Sequence, residues 1–169
     1  GGAAFAALGA ENSKGMRMFA VSGHVKNPGV YEVEFGVTTF RDIIYDARFA
    51  GGIRGGKALK AFIPGGASSP WLMPEHLDEP TDMDHVQNDL KSMLGSGAIM
   101  VFDEDTDPLL VAWRLLKFFA HESCGQCTPC REGTYWLVDL LGRLERGTGS
   151  DDDITRINDS VPTIDVTAV

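Results

Sequence analysis

Cys124-Gly125-Gln126-Cys127-Thr128-Pro129-Cys130 is the stretch that decides the organisation of this chain, because it holds all three cysteines of the 169 residues. The spacing is Cys-x-x-Cys-x-x-Cys, which crowds the thiolates closely enough to bind one metal centre. Iron–sulfur clusters are held by cysteine thiolates in this way. Helical patterns lie on both sides of the stretch. The sequence therefore predicts a helical bundle that carries its cysteines in an inter-helix loop.

The surroundings of the loop suit a negatively charged group. The loop leads into the N-terminus of a predicted helix at 129–131, where free N–H groups stabilise negative charge. Lys117 and Arg131 flank it with positive charge. A four-iron cluster needs four ligands, and the loop supplies three. On the residues alone, His121, three positions before Cys124, could be the fourth.

Two alternatives to an iron–sulfur site follow from the same loop. A structural zinc ion takes three cysteines and a histidine, or four cysteines, although zinc ligands usually come as two separated pairs. A metal-free structural or interaction module is the other alternative. An odd cysteine count and no signal-peptide pattern argue against a disulfide framework.

The helices around the loop are predicted from their boundaries and periodicity. Asp107-Pro108 is a favourable helix start. Residues 109–121 are apolar on almost every side, which predicts a helix buried on most sides, with the aromatic residues in a core. Pro129 opens the next helix, and Asp151–Asp153 favours the start of a third. The second helix should present one apolar face, made of Trp136, Leu137, Leu140, Leu141 and Leu144.

The first half of the chain predicts a small mixed domain. Strands are predicted at 18–22, 30–33, 59–63 and 98–102. Thr39-Phe40-Arg41-Asp42 is typical of a capping box, and Gly51-Gly52 is typical of the stop of the helix that the box opens. Four of the eight prolines fall in 64–82, which predicts a surface connector. A short helix is expected at 84–94. His24 is predicted to stabilise a turn, and His85 to be solvated.

Composition limits the partners of this chain. The formal net charge is −9 and the sequence pI is about 4.8, which argues against nucleic acid and against an anionic lipid surface. No apolar run reaches the ~20 residues of a membrane span. Any association with a membrane is therefore expected to pass through partner subunits.

The run from Glu122 to Thr134 closely resembles the NADH-binding flavoprotein subunit of respiratory complex I. It is similar also to the corresponding subunits of NAD-reducing hydrogenases and NAD-dependent formate dehydrogenases. The likeness extends upstream and covers most of residues 1–150. The matching stretches are Phe19–Val25, Asn27–Tyr31, Gly51–Gly56, Ile63–Gly66 and Met93–Gly97.

The resemblance implies electron transfer from NADH through flavin mononucleotide (FMN) and a [4Fe-4S] cluster towards quinone. Cys124, Cys127 and Cys130 match three of the cluster ligands, and the family's fourth cysteine lies further along the chain. The resemblance makes His121 a neighbour of the cluster rather than a ligand. FMN and NADH bind a preceding Gly-rich domain in the family. These residues alone are therefore not expected to bind either cofactor or to be active as an enzyme.

Fold class and partners follow from the same resemblance. The fold is expected to be α+β, a β-grasp-like domain of the soluble-ligand-binding type followed by an α-helical iron–sulfur domain. The predicted boundaries are 1–16 for the remnant of a flavin/NADH domain, 17–82 for the β-grasp-like domain, 83–106 for a connector and 107–169 for the helical domain. The implied partners are a two-iron ferredoxin-like subunit and a multi-cluster subunit, on the cytoplasmic side of a membrane.

Overall fold

The structure, a computed structural model, describes the backbone of residues 1–167 and the side chains of residues 1–162. It divides the chain into two compact units, Gly1–Thr106 and Asp107–Val169. The first combines a β-sheet with short helices, and the second is built from helices.

The first unit is organised around one sheet. Its strands are β1 (Met16–Gly23), β2 (Gly29–Glu34), β3 (Leu59–Ile63) and β4 (Ala98–Asp103). Its α-helices are α1 (Gly2–Ala6), α2 (Phe40–Tyr45) and α3 (Met83–Asn88). The strand order is β2-β1-β4-β3. β1 runs antiparallel to β2 and parallel to β4, and β3 runs antiparallel to β4.

The position of β4 corrects the predicted connector at 83–106. β4 lies between β1 and β3, with Ala98 opposite Ala20 and Met100 opposite Ile63. Its residues alternate between buried and half-buried, so Ile99 faces the core. The last strand of this unit is thus an interior strand of the sheet, because its apolar run needs neighbours on both edges.

One face of the sheet packs against α2 and the loops to form the core of the first unit. Phe40 and Phe62 are fully buried, with ring centroids 5.0 Å apart. The other large side chains that are fully buried include Phe19, Ile43, Ile44, Ile63, Leu72, Ile99, Val86 and Val101. Burial of this apolar surface is the main stabilisation of the unit.

The capping box at the start of α2 is confirmed, but the predicted stop is not. The Thr39 hydroxyl accepts from the Asp42 N–H, and the Asp42 carboxylate accepts from the Thr39 N–H. α2 ends at Tyr45, well before the predicted glycines. Gly52 instead accepts a 2.9 Å bond from the Lys26 N–H at its carbonyl. Gly51 has φ 72°, and a Cβ there would lie 2.7 Å from Asn27 Nδ2.

His24 lies in a network at the end of the sheet. Its Nδ1 is 2.9 Å from the carboxylate of Asp103, which is only 2% exposed. Burial opposes ionisation of that carboxyl, yet hydrogen bonds from Thr106 and His24, and the charge of Lys57, hold the pKa of Asp103 below its usual range. The residue predicted to stabilise a turn therefore pairs with a buried acid.

α3 is shorter than predicted, because it begins at Met83 after the N-cap Asp82 and ends at Asn88. His85 within it is 28% exposed rather than solvated. Its Nε2 is 2.6 Å from Glu79 and its Nδ1 is 2.7 Å from Asp89. Both ring nitrogens thus meet carboxylate oxygens, an arrangement that needs a proton on each nitrogen.

We expect this contact to weaken as pH rises. Burial lowers the pKa of His85, but the bonds to Glu79 and Asp89 outweigh it and raise the pKa above the ordinary 6.5. The contact therefore contributes fully below the ordinary value and is lost as pH rises through the raised pKa. Hydrogen exchange of the α3 amides from about pH 6 to pH 9 measures this. In His85→Gln, that pH dependence should disappear; if it persists, another group is responsible.

The second unit consists of α4 (Pro108–Glu122), α5 (Thr128–Glu145) and α6 (Asp151–Thr167). The Asp107 carboxylate accepts from the N–H groups of Leu109 and Leu110, as the predicted start requires. Packing is sequential, α4 on α5 and α5 on α6. At the start of α6, bonds from Ser150 and the nearby Arg143 hold the pKa of Asp153 below its usual range.

Two expectations about this unit are wrong. α4 is not buried on most sides: Ala120 is its fully enclosed residue, and Phe118 is 55% exposed. Within its unit α4 packs on α5, and a single neighbouring helix covers only one stripe. Trp136, predicted on the apolar face of α5, is 66% exposed, whereas Leu137 and Leu140 are buried. Among the described residues, no helix is long and apolar enough to cross a membrane.

Candidate metal centre

The cysteine loop is a tight connection between α4 and α5. α4 ends at Glu122, and Ser123 leaves the helix in an extended conformation. Gly125 turns the chain with φ 74°, a value that L side chains rarely adopt. Cys127 is the N-cap of α5. Pro129 lies in the first turn, where its missing N–H costs no intrahelical bond.

Arg131 ties the loop to the helix that comes after it. Its Nη1 donates to the Gly125 carbonyl at 2.9 Å, and its Nη2 lies 3.5 Å from the Thr128 hydroxyl. Its Nε donates to the Glu132 carboxylate at 2.9 Å. The guanidinium therefore fixes the turn at Gly125 and places a positive charge beside the cysteines.

The cysteines differ in their surroundings. Cys124 and Cys127 are exposed, whereas Cys130 is half-buried, and all three are free thiols. Cys130 sits in the first turn of α5, where its carbonyl accepts a 2.7 Å bond from the Thr134 hydroxyl. In the described part of the chain, no three histidine, cysteine or acidic side chains meet as a metal site. The thiols thus share one loop without converging on one point.

His121 does not join the cysteines. Its side chain is 85% exposed, and its Nδ1 is 2.7 Å from the carboxylate of the adjacent Glu122. The residue that the spacing alone offered as a fourth ligand is thus engaged at the end of α4.

The donor set suits an anionic sulfur-ligated centre with an incomplete ligand shell. Three thiols lie on seven residues, beside a helix N-terminus and a guanidinium, both of which stabilise negative charge. Beside the loop an open groove of about 390 Å³ is lined by Thr128, Pro129 and Trp136, among others. These residues fit three ligands of a cluster and leave space at the cysteine end of α5 for a fourth.

One polar residue of the loop was missed by sequence reasoning. Ser123 lies between the two helices, and its hydroxyl reaches both Gly125 N and Cys130 Sγ. A serine two positions after a predicted helix end carries no spacing signal of its own. Its position next to Cys124 is the one feature that could have pointed to it.

The helical part of the chain carries an iron–sulfur signature. Residues 110–169 match the family described as the NADH-ubiquinone oxidoreductase-F iron-sulfur binding region. The matched range contains the whole cysteine loop and the helices on both sides of it. The loop thus lies inside the segment that defines the class.

Similar proteins extend the match to almost the whole chain. Over 155 residues the chain is 46% identical to the NADH-quinone oxidoreductase-F subunit of Mycobacterium tuberculosis (strain ATCC 25618 / H37Rv), and the match covers 92% of this chain and 34% of that protein. The same identity and length hold for the corresponding protein of Streptomyces coelicolor (strain ATCC BAA-471 / A3(2) / M145), with 92% and 33% covered. The chain therefore spans about one third of these curated relatives.

A solved structure shares the fold. A chain in the crystal structure of the NAD+-reducing [NiFe]-hydrogenase in the H2-reduced state matches with a TM-score of 0.78 and 32% identity. The match covers 95% of this chain and 26% of that one. The resemblance to the NADH-binding flavoprotein subunit, and to its counterpart in NAD-reducing hydrogenase, is thus confirmed.

Proposed function

We propose that this chain is part of a flavoprotein subunit that transfers electrons from NADH, through FMN and a [4Fe-4S] cluster, towards quinone. The carrying observation is that the iron–sulfur family match encloses a loop with three free thiols at the start of α5. Cys124, Cys127 and Cys130 are the proposed ligands. The fourth ligand is not a cysteine of these 169 residues, since the chain has three.

The chain's own residues would hold and orient the cluster. Gly125 and Arg131 set the path of the loop, and the first turn of α5 directs free N–H groups to the cysteine end. Those N–H groups and the guanidinium stabilise the added negative charge of a reduced centre. A bound cluster would supply one-electron chemistry.

The proposal includes the finer architecture. The sheet unit would be a β-grasp-like domain at 17–82, extended by 83–106, and residues 1–16 would be the remnant of a flavin/NADH domain. Residues 107–169 would be the iron–sulfur domain. Its partners would be a two-iron ferredoxin-like subunit and a multi-cluster subunit, and it would reach the cytoplasmic face of a membrane only through them.

A second candidate is the equivalent subunit of an NAD-reducing hydrogenase, which the 0.78 TM-score supports. The higher identity, 46% against 32%, favours the quinone-linked enzyme. The site chemistry is the same in both cases. The electron acceptor that oxidises the purified NADH-reduced complex separates them.

Metal analysis tests the proposal against a zinc-stabilised module. We expect the full gene product containing these residues, purified anaerobically, to hold about four iron and four acid-labile sulfide per chain. Chemical reduction should then produce a paramagnetic signal. One zinc per chain without sulfide would contradict the proposal and favour the zinc-stabilised alternative. A metal-free, colourless protein would favour a purely structural module.

A further inference from the structure

Ser123 joins two parts of the cysteine loop through one hydroxyl. Its Oγ is 3.5 Å from Cys130 Sγ and 3.3 Å from Gly125 N. The side chain is half-buried between the end of α4 and the start of α5. It is therefore the side chain in direct polar contact with a proposed ligand sulfur.

The direction of these two bonds follows from proton counting. A backbone N–H can only donate, so Ser123 Oγ must accept from Gly125. A hydroxyl has one proton and two lone pairs, so that proton stays free for another acceptor. A thiolate sulfur bound to iron carries no proton and can only accept. With a thiolate at Cys130, the bond must therefore run from Ser123 O–H to Cys130 Sγ.

The pair is held by backbone structure on both sides. Cys130 is within α5, where its carbonyl accepts from Thr134 Oγ1 and the Arg131 N–H donates to the Cys127 carbonyl at 2.8 Å. Ser123 directly follows the last residue of α4, and α4 packs on α5. Cys130 is also the least exposed of the three thiols. Cluster binding therefore requires less rearrangement at this cysteine than at Cys124 or Cys127.

We propose that Ser123 is a positioning residue that donates its hydroxyl proton to the Cys130 sulfur and so raises the reduction potential of the cluster. This inference rests on the proposed function. Hydrogen bonds to cluster sulfurs are one of the factors that set these potentials. A donor stabilises the reduced, more negative state more than the oxidised state, so its loss lowers the potential.

The test is a redox titration of the full gene product, followed by paramagnetic resonance. Ser123→Ala should shift the midpoint potential of this cluster to a lower value with iron content unchanged. Ser123→Thr and Ser123→Val form a matched pair of nearly equal shape that differ in the hydroxyl. The Thr variant should keep a potential near that of the unmodified protein, and the Val variant should fall with Ala.

The outcomes separate this inference from the proposed function. An assembled cluster with the same potential in all four proteins would overturn the role of Ser123 and leave the function intact. A cluster absent from the unmodified protein would overturn both. If Ser123→Ala loses iron, the Thr and Val pair decides: equal potentials contradict the inference, and a lower potential for Val alone supports it.

Discussion

The double substitution Cys127→Ala with Cys130→Ala is expected to reduce the iron of the full gene product from about four per chain to background. With both residues replaced, the loop would offer one thiolate where the proposal requires three. A cluster held by one loop ligand and one ligand from elsewhere lacks half of its protein donors. Iron and acid-labile sulfide analysis of anaerobically purified protein measures the loss.

The loss should come from missing ligands and not from an unfolded helix. Cys127 is the N-cap of α5, but its side chain makes no capping hydrogen bond, so alanine removes no such bond. The Cys130 side chain contacts Ser123, while its role in α5 depends on its backbone. Circular dichroism should therefore show helix content close to that of the unmodified protein.

Gln126→Ala provides the matched control. Gln126 lies between Cys124 and Cys127, is exposed, and is not a proposed ligand. This variant should keep the full iron and sulfide content. Normal iron in the double cysteine variant would contradict the ligand assignment. Equal losses in the double variant and in Gln126→Ala would show that loop folding, and not ligation, is being measured.

Local signals made part of this molecule predictable. The capping box at Thr39, the strand at 59–63 and the helix start at Asp107 each depend on a few neighbouring residues, and each appears in the structure. The cysteine loop is local as well, so its place between two helices could be predicted from spacing. Its ligand role stays a prediction, because the thiols do not converge in the described structure.

Long-range features escaped the sequence. β4 pairs in parallel with β1 across about 80 residues, and nothing within 98–103 indicates that pairing. The contacts of His85 depend on Glu79 and Asp89 turning towards one ring. Trp136 lies on the open side of α5 because the packing of α6 decides which stripe is covered. Periodicity gives the face of a helix but not its neighbours.

The largest loss of stability is expected for Phe62→Ala in the first unit. Phe62 is fully buried in β3, and its ring packs 5.0 Å from that of Phe40. Its backbone pairs with Leu72 through bonds of 2.8 and 2.9 Å, so the surrounding chain is held and cannot collapse freely into the space. Removing a buried phenylalanine ring costs about 3–5 kcal/mol, from lost burial and from the cavity left behind.

Hydrogen exchange of the β3 and β4 amides in the full gene product measures this cost, because these strands lie side by side in the sheet. Met18→Ala is the control: Met18 lies in β1 of the same sheet but is 66% exposed, so its replacement should change the opening free energy by only about 0.5 kcal/mol. A change for Phe62→Ala as small as that of Met18→Ala would contradict the position of Phe62 in the core. A change several times larger would show that the sheet unit depends on this ring for its cooperative structure.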